Sequence, residues 1–386
     1  MSSLKLMDRR KFIYRSALAG ALLSGTATGL RAKAIKKTGL AEVYKDSFKL
    51  GTAMSTKTLS GKNPSMLPLI AREFNAITAE NAMKWSAIHP SHDRWIWSLC
   101  DQFVRFGREN AMLMIGHTLV WHKQTPSSVF IDNGKLISHK KLLKLLENHI
   151  SKVVDRYKNY VAVWDVVNEA FDEEIGWRKS SWYDVLGPSF LSQSFEIARE
   201  ADPTAHLIYN DFKLENKKKQ RFAIQQIRTL KKKGVRVDGI GLQCHVELNP
   251  NKPTIEQLEE TIINFHKEGL QVHVTELDVD VLPNAWGYRD QHINDLPERA
   301  GKLNPYKDGL PERVSTLLAS RYEELFRLFI KHQDKIPRVS LWGTSDDETW
   351  RNYRPVVGRT NYPLLFDSRQ QPKKAYFALH KLGTDS

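Results

Sequence analysis

Two glutamates at the ends of apolar runs carry the strongest chemical signal in the chain. Asn168-Glu169 closes the run Ala162 to Glu169, and Glu276 stands with Asp278 in the run Gln271 to Val279. Other runs end in Glu80-Asn81, His117 to His122, Asn210-Asp211, Gln243 with His245, and Trp342. A lone Glu at a strand end is an ordinary solvated residue. Two carboxylic acids on separate strands, set among His, Asn, Gln and Trp, suit glycoside hydrolysis, in which one acid protonates the leaving oxygen and the other attacks carbon. Trp121, Trp342 and Trp350 supply flat faces of the kind that stack on sugar rings. No cofactor or metal is required by this chemistry.

The elements that must position these residues follow from periodicity. Eight short apolar runs, Phe48 to Ala53, Ala76 to Glu80, Leu113 to Trp121, Ala162 to Glu169, His206 to Asp211, Gly239 to His245, Gln271 to Val279 and Val339 to Thr344, read as strands. Between them lie helical patterns such as Lys140 to Tyr157, Lys218 to Lys233 and Ile255 to Lys267. Strand and helix repeated eight times predict a (β/α)8 TIM barrel, α/β in class, whose chemistry gathers at the C-terminal strand ends. A doubly wound open sheet is disfavoured, because no Gly-rich phosphate loop follows the first strand. Strand alternation places Asp165 on the face of Glu169, two pleats deeper, and pairs Glu276 with Asp278 and Gln243 with His245.

Several stretches together resemble glycoside hydrolase family 10, whose members are mainly endo-1,4-β-xylanases. They are Gly51-Thr52-Ala53, Ile77 to Trp85, Gly116 to His122, Trp164 to Ala170, Tyr209-Asn210-Asp211, Gly241 to His245 and Val274 to Asp278. The likeness runs in order from about residue 40 to the end. It implies a retaining enzyme with Glu276 as nucleophile and Glu169 as acid/base. It implies that Asn168 holds the sugar 2-hydroxyl, that His245 bonds the nucleophile with Asp165 and Asp278 in its network, and that Gln243 lies near the acid/base. By the same resemblance Glu80, Asn81 and Lys84 grip a sugar two sites from cleavage, and His117, Trp121, Trp342 and Trp350 wall the central sugars. The expected partners are xylan and xylo-oligosaccharides.

Three departures from the family pattern lie near the expected groove: Lys123 after His122, Lys213 after Asp211-Phe212, and the acidic Asp346-Asp347-Glu348 before Trp350. They bear on the outer subsites and on branch preference. The segment Pro283 to Pro311 reads as a long loop.

Composition bounds the rest. The formal charge is +14, but Lys5, Arg9, Arg10, Lys11, Arg15, Arg31 and Lys33 against Asp8 place +6 of it before residue 35, leaving +8 dispersed. No recognition motif interleaves those cations with aromatics, so nucleic acid is not an expected partner. The lysine runs Lys217 to Lys219 and Lys231 to Lys233 read as solvated helix faces. Residues 1–34, with Arg9-Arg10 ahead of a weak apolar stretch from Ser16 to Leu30, resemble a twin-arginine export signal and not a stable membrane anchor. Residues 35–386 then form the catalytic barrel, exported to the periplasm or beyond and expected to be a monomer. Cys100 and Cys244, the two cysteines, cannot build a Cys-based metal site, and a disulfide between them is disfavoured.

Overall fold

Short runs rich in β-branched and small residues form eight parallel strands around one axis. They are β1 (Lys49–Met54), β2 (Ala76–Ala79), β3 (Leu113–Trp121), β4 (Val161–Asn168), β5 (His206–Asp211), β6 (Gly239–Leu242), β7 (Gln271–Asp280) and β8 (Arg338–Leu341). This computed structural model describes residues 38–385, and the twin-arginine segment read from the sequence lies outside them. Each strand pairs with the next, and β8 returns to β1 with Gly51 opposite Ser340, so the sheet has no free edge. Helices α1 (Met66–Glu73), α2 (Ser98–Glu109), α3 (His139–Tyr157), α4 (Ser189–Ala201), α5 (Lys217–Lys232), α6 (Ile255–Lys267), α7 (Glu312–Lys331) and α8 (Lys374–Asp385) follow the strands in turn. This is the expected (β/α)8 barrel.

Strand alternation sorts the apolar residues into two cores. Ala76, Ile115, Val163 and Ile208 fill the barrel interior, whereas the larger outer core sets Trp164, Phe195, Phe265 and Phe326 between strands and helices. Gly116 is required by this second layer, since a Cβ there would stand 2.1 Å from the Trp164 ring.

Four local expectations are corrected. The run Gly239 to His245 is two segments, β6 and a short strand at His245–Glu247 that pairs with β7, because Cys244 between them has a φ of +56°. β8 stops at Leu341, short of Thr344. The loop from Pro283 to Pro311 contains a helix at Pro297–Leu303 and, with Val356, a small core of Ala285, Ile293 and Leu303; its Pro and Gly content had hidden that apolar pattern. Lys219 is not a solvated residue of its run. Asn216 caps α5 by accepting from the amides of Lys218 and Lys219, and this first turn aims Lys219 inward to a buried ion pair with Asp211 at 2.7 Å. Its neighbours Lys217 and Lys218 are exposed as expected. Both cysteines are free and buried.

Candidate active site

The end of β7 presents Glu276 to a closed set of donors. Asn210 Nδ2 donates to Oε1 at 2.7 Å, and His245 Nε2 lies 3.2 Å from Oε2. The other imidazole nitrogen, Nδ1, lies 3.0 Å from Asp278 Oδ1. Both ring nitrogens therefore face carboxylate oxygens, and both must carry hydrogen to bond them. Burial alone would push His245 down, but Asp278 and Glu276 outweigh it and raise the group to about 9. Asp278 is in turn bonded by Arg351 through Nε at 3.0 Å and Nη2 at 2.7 Å, and by the indole N–H of Trp350 at 2.7 Å. Burial opposes its charge, yet Arg351 and His245 hold it far below the usual carboxylate range.

Glu169 follows β4 with a φ of +56°, a left-handed turn uncommon for a residue with a Cβ and costing roughly 1–2 kcal/mol. Its backbone is pinned: the amide donates to Asn210 O at 2.9 Å and the carbonyl accepts from Arg178 Nε at 2.8 Å. The carboxylate is held more loosely, by Gln243 Nε2 at 3.3 Å. Burial raises its proton affinity, but Lys123 and His122, with the N–H groups of Trp121 and Gln243, outweigh burial and leave the group below its ordinary value. Asn168 Oδ1 accepts from Gln243 Nε2 at 3.1 Å and from Asn210 Nδ2 at 3.0 Å, which links the two glutamates through one amide chain.

Beside them, Asn81 donates to Glu80 at 3.1 Å and Lys84 Nζ donates to Asn81 Oδ1 at 2.9 Å. Lys84 is buried and lies 4.7 Å over the Trp121 ring. Burial raises Glu80 and lowers Lys84, so each relies on the other to stay charged. Trp342 stands edge-on to His117 at 5.0 Å, and Trp350 tilts against His245 at 4.9 Å.

The model of glycosyl hydrolase family 10 matches residues 39–382. The chain belongs to this family. An endo-1,4-β-xylanase A of Xylanibacter ruminicola is 37% identical over 87% of this chain and 90% of its own length, and a β-1,4-xylanase of Dictyoglomus thermophilum is 37% identical over 91% and 92%. A solved GH10 endoxylanase retrieved from a sugarcane soil metagenome superposes with a TM-score of 0.84 and 45% identity, covering 90% of this chain and 100% of that one.

Within this family 10 enzyme, the mouth gathers nearly all the residues picked from the sequence, with one exception. Asp165 does not join the His245 network; its Oδ2 lies 2.7 Å from His117 Nδ1. The strict alternation that put it beneath Glu169 is broken by an irregularity in strand register between Asp165 and Val167. Asn210, noted in the sequence at a run end but given no role there, touches both Asn168 and Glu276, and Arg351, which the sequence reading missed, anchors Asp278. Asn210 stands at a strand end and could have been given a role by the rule that found Asn168. Arg351 has no such signal, because a buried Arg and a surface Arg read alike.

The departures also find their places. Glu348 accepts from Asn63 at 2.6 Å and Thr58 at 2.9 Å, and Asp346 pairs with Lys373 at 2.8 Å, so two of these three acids brace loops. Lys213 pairs with Glu173 at 3.1 Å. Lys123 is exposed, 5.6 Å over the Trp121 ring.

Proposed function

We propose that this family 10 hydrolase is a retaining endo-1,4-β-xylanase, with Glu276 as nucleophile and Glu169 as acid/base. The observation that carries the assignment is the unequal restraint of the two carboxylates. Glu276 is held by Asn210 and by a doubly hydrogen-bonded imidazole, which fixes the direction of its carboxylate. Glu169 has a rigid backbone but a lightly bonded carboxylate, which suits a group that must give and then take a proton.

In the first step Glu276 attacks the anomeric carbon while Glu169 gives its proton to the departing sugar oxygen, leaving a glycosyl ester. A bound sugar buries Glu169 further, and burial is the influence that favours its protonated form. In the second step Glu169 takes a proton from water, the water oxygen attacks the same carbon, and the Glu276 carboxylate departs. Asn168, held by Gln243 and Asn210, is fixed to bond a sugar hydroxyl that gains charge contact in the transition state. Lys84 over Trp121, with Asn81 and Glu80, forms the polar wall for the sugar beyond.

Support for xylan comes from relatives named xylanases that align along nearly their whole length. Initial rates on unbranched xylan, carboxymethyl cellulose and barley glucan test the substrate. Xylan should be cleaved fastest, and equal or greater rates on either glucan would overturn the reading.

A further inference from the structure

Beneath the mouth the barrel buries a cation that the reaction described above does not use. Arg338 opens β8 and is 1% exposed. Its Nη1 donates to Ser340 Oγ at 3.0 Å, while Nε and Nη2 have no partner. Ser340 is on the inward face, since a Cβ on Gly51 would stand 2.4 Å from its hydroxyl. The guanidinium therefore lies inside the barrel, where taking an ion out of water costs several kcal/mol unless it is compensated.

Its surroundings identify the compensation. Asp165 Oδ1 on β4, Thr78 Oγ1 on β2 and His273 Nδ1 on β7 are also buried without partners. His273 and His206 of β5 meet through their Nε2 atoms at 3.0 Å, and burial, with Arg338 adding to it, keeps both neutral. Lys49, opposite Arg338 on β1, is exposed, and β6 contributes only Gly239 and Gly241 to this side. The carboxylates that act on Arg338 are Asp165 and Glu276; against their pull, burial brings it down to about 10, so it remains a cation at neutral pH. Buried donors and acceptors without a protein partner are the ordinary setting for internal water.

We propose that Arg338 is a positioning residue for the nucleophile, a buried counter-charge to Asp165 and Glu276 that acts on them through ordered water. Asp165 passes this restraint on to His117, which packs against Trp342 at the sugar wall. The inference rests on the role given to Glu276 above.

The test is Arg338→Met, which fills similar volume without charge, beside Arg338→Lys, which keeps the charge. On an aryl xylobioside, Arg338→Met should lose about tenfold in kcat/KM, with the acid limb of the profile moved up by about one pH unit. Arg338→Lys should return the limb to its original place. A folded Met variant whose acid limb has not moved, whatever its rate, overturns the proposal. Should the Met variant fail to fold, the Lys variant decides: an acid limb displaced as far as in a charge loss would show that a charge at this place is not what matters. A parallel Glu276→Ala separates the two readings, since retained activity there sinks the nucleophile assignment itself, whereas its loss leaves only Arg338 in question.

Discussion

The two glutamates of the mouth are built in opposite ways. Glu276 heads a chain that runs through His245 and Asp278 to Arg351 and Trp350. Glu169 has its constraint in the backbone, and its carboxylate meets the Gln243 amide at 3.3 Å and is otherwise acted on by Lys123, His122 and the Trp121 indole. A nucleophile has to remain one anion in one direction, so preorganisation serves it. A proton carrier has to change state twice per turnover, and a cage suited to either state would oppose the other.

The sharpest way to break this comparison is to delete each carboxylate. Glu276→Ala should lose on the order of a millionfold in kcat on every glycoside, and azide should rescue it with inverted configuration. Glu169→Ala should still form the glycosyl ester from an aryl glycoside whose leaving group needs no proton, giving a burst of aryl alcohol followed by slow hydrolysis. Azide should then accelerate turnover with retained configuration. A burst from the Glu276 variant instead would exchange the two roles.

A smaller effect is expected one bond further out. His245 rises to about 9 in the folded protein from an ordinary 6.5, so the stability it contributes is complete below pH 6.5 and is lost as pH climbs through about 9. His245→Asn should therefore lower kcat about a hundredfold and melt below the parent at about pH 6, by the equivalent of ~3 kcal/mol. By about pH 10 the two melting curves should converge. A gap that stays constant across this range would mean that His245 packs the site without carrying charge there.

How much of this contrast was legible in the sequence depends on what breaks a periodic rule. β3 and β5 match their apolar runs residue for residue. The division of β6 from His245 could not be read, since Cys244 adopts a positive φ without the glycine that usually marks one. The contact of Asp165 with His117 was hidden by a register irregularity, where counting pleats stops being valid. The charged residues misread or overlooked, Lys219 and Arg351, share a cause. Long cations look solvated in sequence, and only the fold reveals which of them have a buried carboxylate or carbonyl to reach.

The smallest expected effect concerns the looser of the two glutamates. Lys123 is one of the departures noted in the sequence, and after burial it is the strongest influence on Glu169, opposing burial by favouring the charged form. Because Glu169 must be protonated in the first step, a cation beside it brings the alkaline limb of activity to lower pH. Removing that cation lets burial act against less opposition. Lys123→Ser should therefore move the alkaline limb to higher pH and leave the acid limb, governed by the caged Glu276, in place. The interaction crosses solvent, so the rate at the optimum should change by no more than about fivefold, and the displacement should shrink as salt is added. Profiles of both enzymes at low and high salt provide the check. An acid limb that moved with the alkaline one would mean that the two carboxylates share one electrostatic environment, and the division between a caged and a free glutamate would fail.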